Sequence, residues 1–285
     1  MSKTLRVILI EAARLAGEVH KDVLGKKSFD LKNKYEGDTA SDVVTIADIQ
    51  SEEVLRDYFL KNLPDFNIMG EEKGAVYNGN GKVIIIDPLD CTKGFREGLD
   101  NFGPIIGVYN NGINIGGVEY NVLKDIMYIA TDSTGFERLG SKEVVPTGAI
   151  LVESYMTHCP SFNDLMEKLI KKEFPGHQVI KQMPSVINKS RVCDGKFAAY
   201  FHSGLARHDI AAIPILGKTT GTFVTDYRGR PYEPVNAEKE LDKYNTEEKL
   251  EIYSNPILVA HPLFYKGMLK VLKNFEKELD QVSNP

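Results

Sequence analysis

At 285 residues the chain can bury a large core, as one large domain or as two closely joined halves. It is 42% hydrophobic and 26% charged with a formal net charge of −5, and Lys and Arg are interspersed with Asp and Glu, so it lacks the basic footprint of a polynucleotide binder. No apolar run approaches the roughly 20 residues that span a bilayer, and the spacing of Cys91, Cys159 and Cys193 suits neither a disulfide framework nor a zinc site.

The first residues enter an amphipathic pattern interrupted by charges, unlike the apolar core of a signal peptide, so a cytoplasmic protein with free thiols is expected. Leu5, Ile8, Leu9, Ala12, Ala16, Val19 and Val23 predict a helix over 3–24 that ends at Gly25. A polar loop is expected over 26–41. Helical periodicity resumes over 43–63 and stops at Pro64. Strands are predicted at 66–69, 82–86, 104–109, 113–120 and 125–131, and Asn110-Asn111-Gly112 signals a hairpin between two of them. Beyond about residue 145 the pattern alternates. It gives strand 149–153, helix 161–172, strand 178–181, helix 185–193, strand 197–201, helix 209–216, strands 222–225 and 257–260, and a helix from Pro262. The charged segment 236–249 reads as an exposed excursion. An α+β half over 1–145 is thus followed by an α/β half over 146–285. With no Pro/Ser-rich linker between them, the halves are expected to form one compact unit with the site at their junction.

The most informative stretch is Val83-Ile84-Ile85-Ile86-Asp87-Pro88-Leu89-Asp90-Cys91-Thr92. An apolar run that reads as a buried strand ends in two carboxylates, with a hydroxyl two residues after the second. Such acids repel each other and resist burial unless a cation neutralises them, which asks for Mg²⁺ or a similar oxygen-preferring ion. Gly70-Glu71-Glu72 follows the strand at 66–69. If that strand neighbours the one ending at Asp87, then Glu71, Asp87 and Asp90 converge. Taken alone, a Glu-Glu pair decorates a solvated turn, and Asp-Pro initiates one. Asp209 opens a predicted helix, where capping by itself accounts for a carboxylate. Asp48 lies within a helical pattern, where Asp ordinarily faces solvent.

Asp48, Gly-Glu-Glu at 70–72, Asp-Pro-Leu-Asp-x-Thr at 87–92 and a helix-opening Asp209, in that order, resemble the inositol monophosphatase superfamily. Its members are metal-dependent, lithium-sensitive phosphatases, among them inositol polyphosphate 1-phosphatases and 3′(2′),5′-bisphosphate nucleotidases. The resemblance extends to Val259-Ala260-His261 and implies a layered αβαβα sandwich of the sugar-phosphatase type, with mixed sheets and an antiparallel N-terminal half. It implies that Glu71, Asp87, Asp90 and the Leu89 carbonyl bind the first of two or three Mg²⁺ ions, that Asp209 joins Asp90 on a second, and that Glu72 acts through water. Thr92 would orient the attacking water, with Asp48 as its partner in drawing off a proton. Backbone N–H groups of Cys91 and Thr92, at a helix N-terminus, would hold phosphate oxygens. Phosphate monoester hydrolysis needs an activated water and neutralised charge on the transferring and leaving groups, which clustered divalent ions provide.

Three departures from the family pattern stand out. Cys91 occupies a position that is usually Gly, or Ser in some polyphosphate phosphatases, and a positive φ there would be strained. With no base beside it in sequence, Cys91 is not read as a nucleophile. His208 replaces the usual Trp and is expected to alter packing more than chemistry. Around the substrate, Ser185 falls where phosphate or nucleotide contacts occur, Asn188 stands where nucleotidases often carry Lys, and Lys189 is its neighbour. His202 falls near a position that tends to be acidic in inositol monophosphatases and basic in nucleotidases.

The continuation Thr92-Lys93-Gly94-Phe95-Arg96 looks like the bisphosphate nucleotidases, and Lys93 with Arg96 would suit a second phosphate. As a bland alternative, both belong to a solvated helix face. The expected activity is hydrolysis of 3′-phosphoadenosine 5′-phosphate to AMP and phosphate. The nearest rival is an inositol phosphate phosphatase, and a non-catalytic sensor of metal and nucleotide is a different class. The expected partner is a small phosphorylated substrate, with no polynucleotide and no membrane. The 26–41 loop could close over the site and bring Lys32 or Lys34 near it.

Overall fold

The computed structural model describes residues 3–26, 32–33, 43–75, 80–154, 161–181, 183–232 and 256–283. Lys34, Cys159, the charged segment 236–249 and most of the 26–41 stretch lie outside these residues, as does the side chain of Lys32. Helix α1 (Leu5–Lys26) is followed by strands β1 (Lys32–Asn33) and β2 (Val43–Val44), which pair antiparallel, and by helix α2 (Ile46–Asn62). The predicted helix over 43–63 therefore starts later. Thr45 caps it, its side chain accepting from Ala47 N while the Asp48 carboxylate accepts from Thr45 N, and this reciprocal box sets the first turn.

Strands β3 (Asn67–Gly70), β4 (Gly74–Ala75), β5 (Lys82–Asp90), β6 (Gly103–Asn110), β7 (Ile113–Asn121), β8 (Ile126–Thr131) and β9 (Gly135–Gly140) form a seven-stranded sheet in the order β4-β3-β5-β6-β7-β8-β9. Every pairing in it is antiparallel except β3 with β5. The turn between β6 and β7 is the expected one, with Asn110 paired to Ile113 and both Asn111 and Gly112 at positive φ. Edge strand β9 is not foreseen from the sequence, because its half-exposed Gly-Phe-Glu-Arg-Leu-Gly has no apolar alternation. Arg6 of α1 braces it through Glu137.

Strands β10 (Ala149–Glu153), β11 (Val179–Lys181), β12 (Phe197–His202), β13 (Phe223–Asp226) and β14 (Ile257–Ala260) form a mixed five-stranded sheet in the order β11-β10-β12-β14-β13. The remaining α-helices among the described residues are α3 (Thr92–Arg96), α4 (Phe162–Glu173), α5 (Asn188–Cys193), α6 (Ile213–Thr220), α7 (Pro262–Leu272) and α8 (Glu276–Ser283).

Three apolar cores join five layers, the central one enclosing the middle helices between the two sheets. Leu9, Ala12 and Ala16 of α1 with Leu55 and Phe59 of α2 cover Ile84, Ile86, Ile106 and Val118 on one face of the larger sheet. Its other face presents Val83, Ile85, Ile105 and Tyr109 to α5 and α6, which also pack on Leu151, Phe197 and Val259 of the smaller sheet. Ile150, Val152 and Phe201 then meet α4, α7 and α8. This αβαβα arrangement explains the unbroken run Val83–Ile86: successive side chains point to opposite faces, and both faces are covered.

The turn after Asp209 reaches the larger sheet by close backbone approach. The Ala211 carbonyl accepts from Tyr109 Oη at 2.6 Å, and a Cβ on Gly107 would lie 2.1 Å from that same oxygen. Gly107→Ala is expected to lower stability by about 1–3 kcal/mol through overpacking. Its urea midpoint measures this, and an unchanged midpoint would mean that the turn can retreat freely.

Candidate active site

Parallel pairing of β3 with β5 brings their C-terminal ends to one edge. Gly70 lies opposite Ile86, and Glu71 N donates to the Ile86 carbonyl at 3.2 Å, so Glu71 stands beside Asp87. The turn that follows is held by Glu52 of α2, a fully buried carboxylate. It accepts from Glu72 N at 2.7 Å, Lys73 N at 3.1 Å and Arg56 Nε at 2.8 Å. Gly70 permits this contact, since a Cβ there would come within 2.2 Å of Glu52 Oε1. Nothing in Ser51-Glu52-Glu53 signals the role of Glu52, which reads as one more helix-face charge.

Carboxylate oxygens of Asp87, Asp90 and Asp209 lie within 4.8 Å of one another, as do ligand atoms of Glu71, Asp87 and His208. Asp87 is buried at the end of β5, where Oδ1 accepts from Leu89 N at 3.0 Å. Asp90 Oδ1 accepts from Cys91 N at 2.8 Å. Asp209 does not cap a helix as expected. It sits in a 3-10 turn, His208–Ile210, its Oδ2 accepts from Ala206 N at 2.7 Å, and α6 begins only at Ile213. Burial, reinforced by the charges of Glu71, Asp90 and Asp209, pushes the Asp87 carboxyl well above the usual carboxylate range. Burial also raises Asp90 to about 6, against the opposing pull of Lys189. That lysine is itself buried, 4.0 Å from Glu119 Oε1; the carboxylates of Glu119, Asp90 and Asp209 overcome its desolvation and raise its pKa. One ammonium does not balance this set of acids. Hard oxygen donors clustered in a partly buried corner fit a divalent cation, by the chemistry of the donors themselves.

Beside the cluster, Thr92 Oγ1 lies 3.2 Å from Asp48 Oδ1 and 3.0 Å from the Leu89 carbonyl oxygen. Asp48 is buried, contrary to the solvent-facing position its helical pattern suggests. Its Oδ2 accepts from Thr45 N at 2.8 Å and Thr45 Oγ1 at 2.6 Å, which leaves Oδ1 for Thr92. Burial pushes Asp48 up to about 7, with the charges of Glu71 and Glu72 adding to it. The Thr-x-x-Asp spacing at 45–48 is the sequence signal that identifies this box. Glu72 joins neither carboxylate group directly.

Cys91 adopts the left-handed conformation, φ 65 and ψ 42, that its position in the motif warned of. Its N–H is engaged by Asp90, so it serves a phosphate oxygen only if that carboxylate turns away. Burial raises its thiol pKa well above the ordinary value, which removes the thiolate a nucleophile would need. Lys93 is exposed on the short helix α3. Ser185 is buried but lines a different cavity of about 700 Å³, with Asn101, Lys124, Lys142 and Arg191. His202 ends β12, where its Nδ1 accepts from Gly204 N at 3.0 Å. Burial, with Lys189 nearby, depresses it to about 3, which favours the neutral imidazole over the basic form that its position suggests. His208 also departs from expectation. Its Nε2 lies 3.5 Å from Glu71 Oε1 and 3.4 Å from Asp209 Oδ1, inside the chemistry of the site and not merely its packing.

Five alternating layers with a carboxylate cluster at a strand end define a protein of the sugar-phosphatase fold class. A family model described as the inositol monophosphatase family matches residues 1–258, and the chain belongs to that family. A Nus factor SuhB of Xylella fastidiosa is 26% identical over 272 residues, covering 92% of this chain and 94% of that protein. A fructose-1,6-bisphosphatase/inositol-1-monophosphatase of Thermotoga maritima is 30% identical over 197 residues, covering 66% and 73%. Among solved structures, an inositol monophosphatase of Thermotoga maritima superposes with TM-score 0.70 at 22% identity, covering 95% of this chain and 97% of that one. An IMPase/NADP phosphatase complexed with NADP and Ca²⁺ superposes with TM-score 0.73 at 17% identity, with coverage of 95% and 97%.

Two outcomes follow from the site. Asp48, Asp87 and Asp90 hold protons more tightly when folded than the ordinary 3.8, so the ion-free protein binds more protons folded than unfolded. Its stability is fullest below pH ~4 as far as these groups decide it, and falls as pH rises through ~6 to ~7. Thermal melts across that window in chelator should show this fall, and millimolar Mg²⁺ should flatten it. Cys91→Gly relieves a left-handed strain of about 1 kcal/mol. It should raise the denaturation midpoint, and a lowered midpoint would show that side-chain packing outweighs backbone strain.

Proposed function

We propose that the protein is a Mg²⁺-dependent phosphate monoester hydrolase of the cytoplasm, and that its preferred substrate is 3′-phosphoadenosine 5′-phosphate, converted to AMP and phosphate. The observation that carries the hydrolase reading is the convergence of Glu71, Asp87, Asp90 and Asp209 beside the Asp48–Thr92 pair. Two or three ions held by these carboxylates and the Leu89 carbonyl would supply an acidified water and neutralise charge on the phosphoryl and leaving groups. The chain's own contribution is orientation and proton handling. Thr92 Oγ1 donates towards Asp48 Oδ1 and turns a lone pair to the attacking water. Asp48, fixed by Thr45 and poised near neutrality, takes up the proton at Oδ1. Glu72 acts from the adjoining turn through water. Backbone N–H groups of Cys91 and Thr92 would hold the phosphate once the Asp90 carboxylate, which accepts from Cys91 N, turns away towards an ion.

The nucleotide preference rests on Lys93 and Arg96, which follow Thr92 on α3 and would meet a second phosphate, and on Lys189 from the second half of the chain, whereas Ser185 lines the separate cavity. His202 offers this substrate a neutral hydrogen-bonding ring. That neutrality favours a second reading, an inositol phosphate substrate, to which the names of the Thermotoga maritima relatives also lean. Lithium inhibition is expected on either reading.

Phosphate release with Mg²⁺ from 3′-phosphoadenosine 5′-phosphate, inositol 1,4-bisphosphate and inositol 1-phosphate decides between them. The nucleotide should be favoured by at least about tenfold in kcat/KM, or ~1.4 kcal/mol. An inositol ester favoured instead moves the assignment to the second reading, and an inert protein removes the hydrolase reading. Thr92→Ala should lower kcat by about 10²-fold or more while Mg²⁺ binding persists.

A further inference from the structure

His208 does not belong to the all-oxygen set that the motif spells out, yet the fold places it there. Its ring projects from the 3-10 turn that carries Asp209, and Nε2 faces Glu71 Oε1 from the other half of the chain at 3.5 Å and Asp209 Oδ1 at 3.4 Å. Both separations exceed the roughly 2.7–3.2 Å of an N–H···O hydrogen bond. They match the ~3–3.5 Å between neighbouring ligand atoms around one ion with bonds of ~2.1 Å. Ligand atoms of Glu71, Asp87 and His208 lie within 4.8 Å of one another, and Asp87 also belongs to the separate oxygen-only group with Asp90 and Asp209. The two groups share one carboxylate, Asp87, and only the group with His208 contains a nitrogen donor.

We propose that His208 Nε2 is a metal ligand, so that the Glu71–Asp87–His208 position takes a first-row divalent cation that accepts imidazole, such as Mn²⁺, Co²⁺ or Zn²⁺, in preference to Mg²⁺. The proposal rests on the hydrolase reading to the extent that these carboxylates hold ions at all. Mg²⁺ prefers oxygen donors and keeps much of its water, whereas imidazole suits the borderline cations. The Asp87–Asp90–Asp209 group, with no nitrogen, remains suited to Mg²⁺. The resulting pair of sites is unlike in chemistry, and its metal content answers to one residue that the sequence motif does not contain.

The test uses the full chain freed of metal, with binding read directly. Pulsed electron paramagnetic resonance on the Mn²⁺-loaded protein should show coupling to a directly bound ¹⁴N, replaced by the ¹⁵N pattern after labelling with ¹⁵N-histidine. In His208→Gln that coupling should vanish, and calorimetric Co²⁺ affinity should fall by at least about tenfold while Mg²⁺ affinity stays within about twofold. His208→Asn, with circular dichroism and melting checked for both variants, guards against misfolding of either one. Mn²⁺ bound without nitrogen coupling, coupling that survives in the variants, or equal weakening of Co²⁺ and Mg²⁺ each overturns the assignment and leaves the hydrolase reading standing. Failure of the wild type to bind any of these ions overturns both.

Discussion

Repulsion among carboxylates gathered in a partly buried corner is the constraint around which the rest of this structure is arranged. Asp87 sits at the end of a strand covered on both faces, with Asp90, Asp209 and Glu71 as neighbours, and burial alone disfavours its charge. A protein selected for stability alone would place apolar residues or a paired cation there. Lys189 supplies a single positive charge at the back of the cluster, itself engaged with Glu119. The imbalance is characteristic of a site whose missing charge arrives from solution.

Holding such acids in place requires rigid supports, and each lies on a different element. The β3–β5 pairing sets Glu71 beside Asp87, Glu52 of α2 fastens the turn that bears Glu71, and the Thr45 box fixes Asp48 at the first turn of the same helix. Helix α2 therefore positions both the turn and the Asp48–Thr92 pair. Asp209 arrives from the other side, where the bare backbone at Gly107 lets its turn settle against the sheet. Loss of any one support leaves the carboxylates present but misplaced, a failure of orientation and not of chemistry.

Much of this was legible in the sequence because local patterns and burial agreed. The continuous apolar run before Asp87 demanded a strand covered on both sides, and the Asn-Gly turn after β6 admitted one geometry. Three features resisted reading for physical reasons. Strand β9 is an edge strand without alternation, recognised only through its partner β8 and the Arg6–Glu137 brace. Asp48 looked solvated because helical periodicity does not reveal that the first turn of α2 meets Thr92 at the start of α3. The charge of His202 and the role of His208 depend on their surroundings, since one imidazole is buried beside an ammonium and the other is turned towards carboxylates. Residue identity constrains what a side chain can do, and tertiary contact selects among those possibilities.

The parts of the site are spread along the chain, with Asp48, the 71–72 turn, Asp87 to Thr92, and lastly Asp209. During synthesis the first three can assemble on the larger sheet while the last is still inside the ribosome. At that stage the nascent chain displays an acidic corner without the turn that completes it, and without the helices that cover the sheet's second face. Divalent ions in the surrounding fluid can engage the incomplete corner only weakly. Any ion site that includes Asp209 is therefore complete only once the second half of the chain has docked on the first.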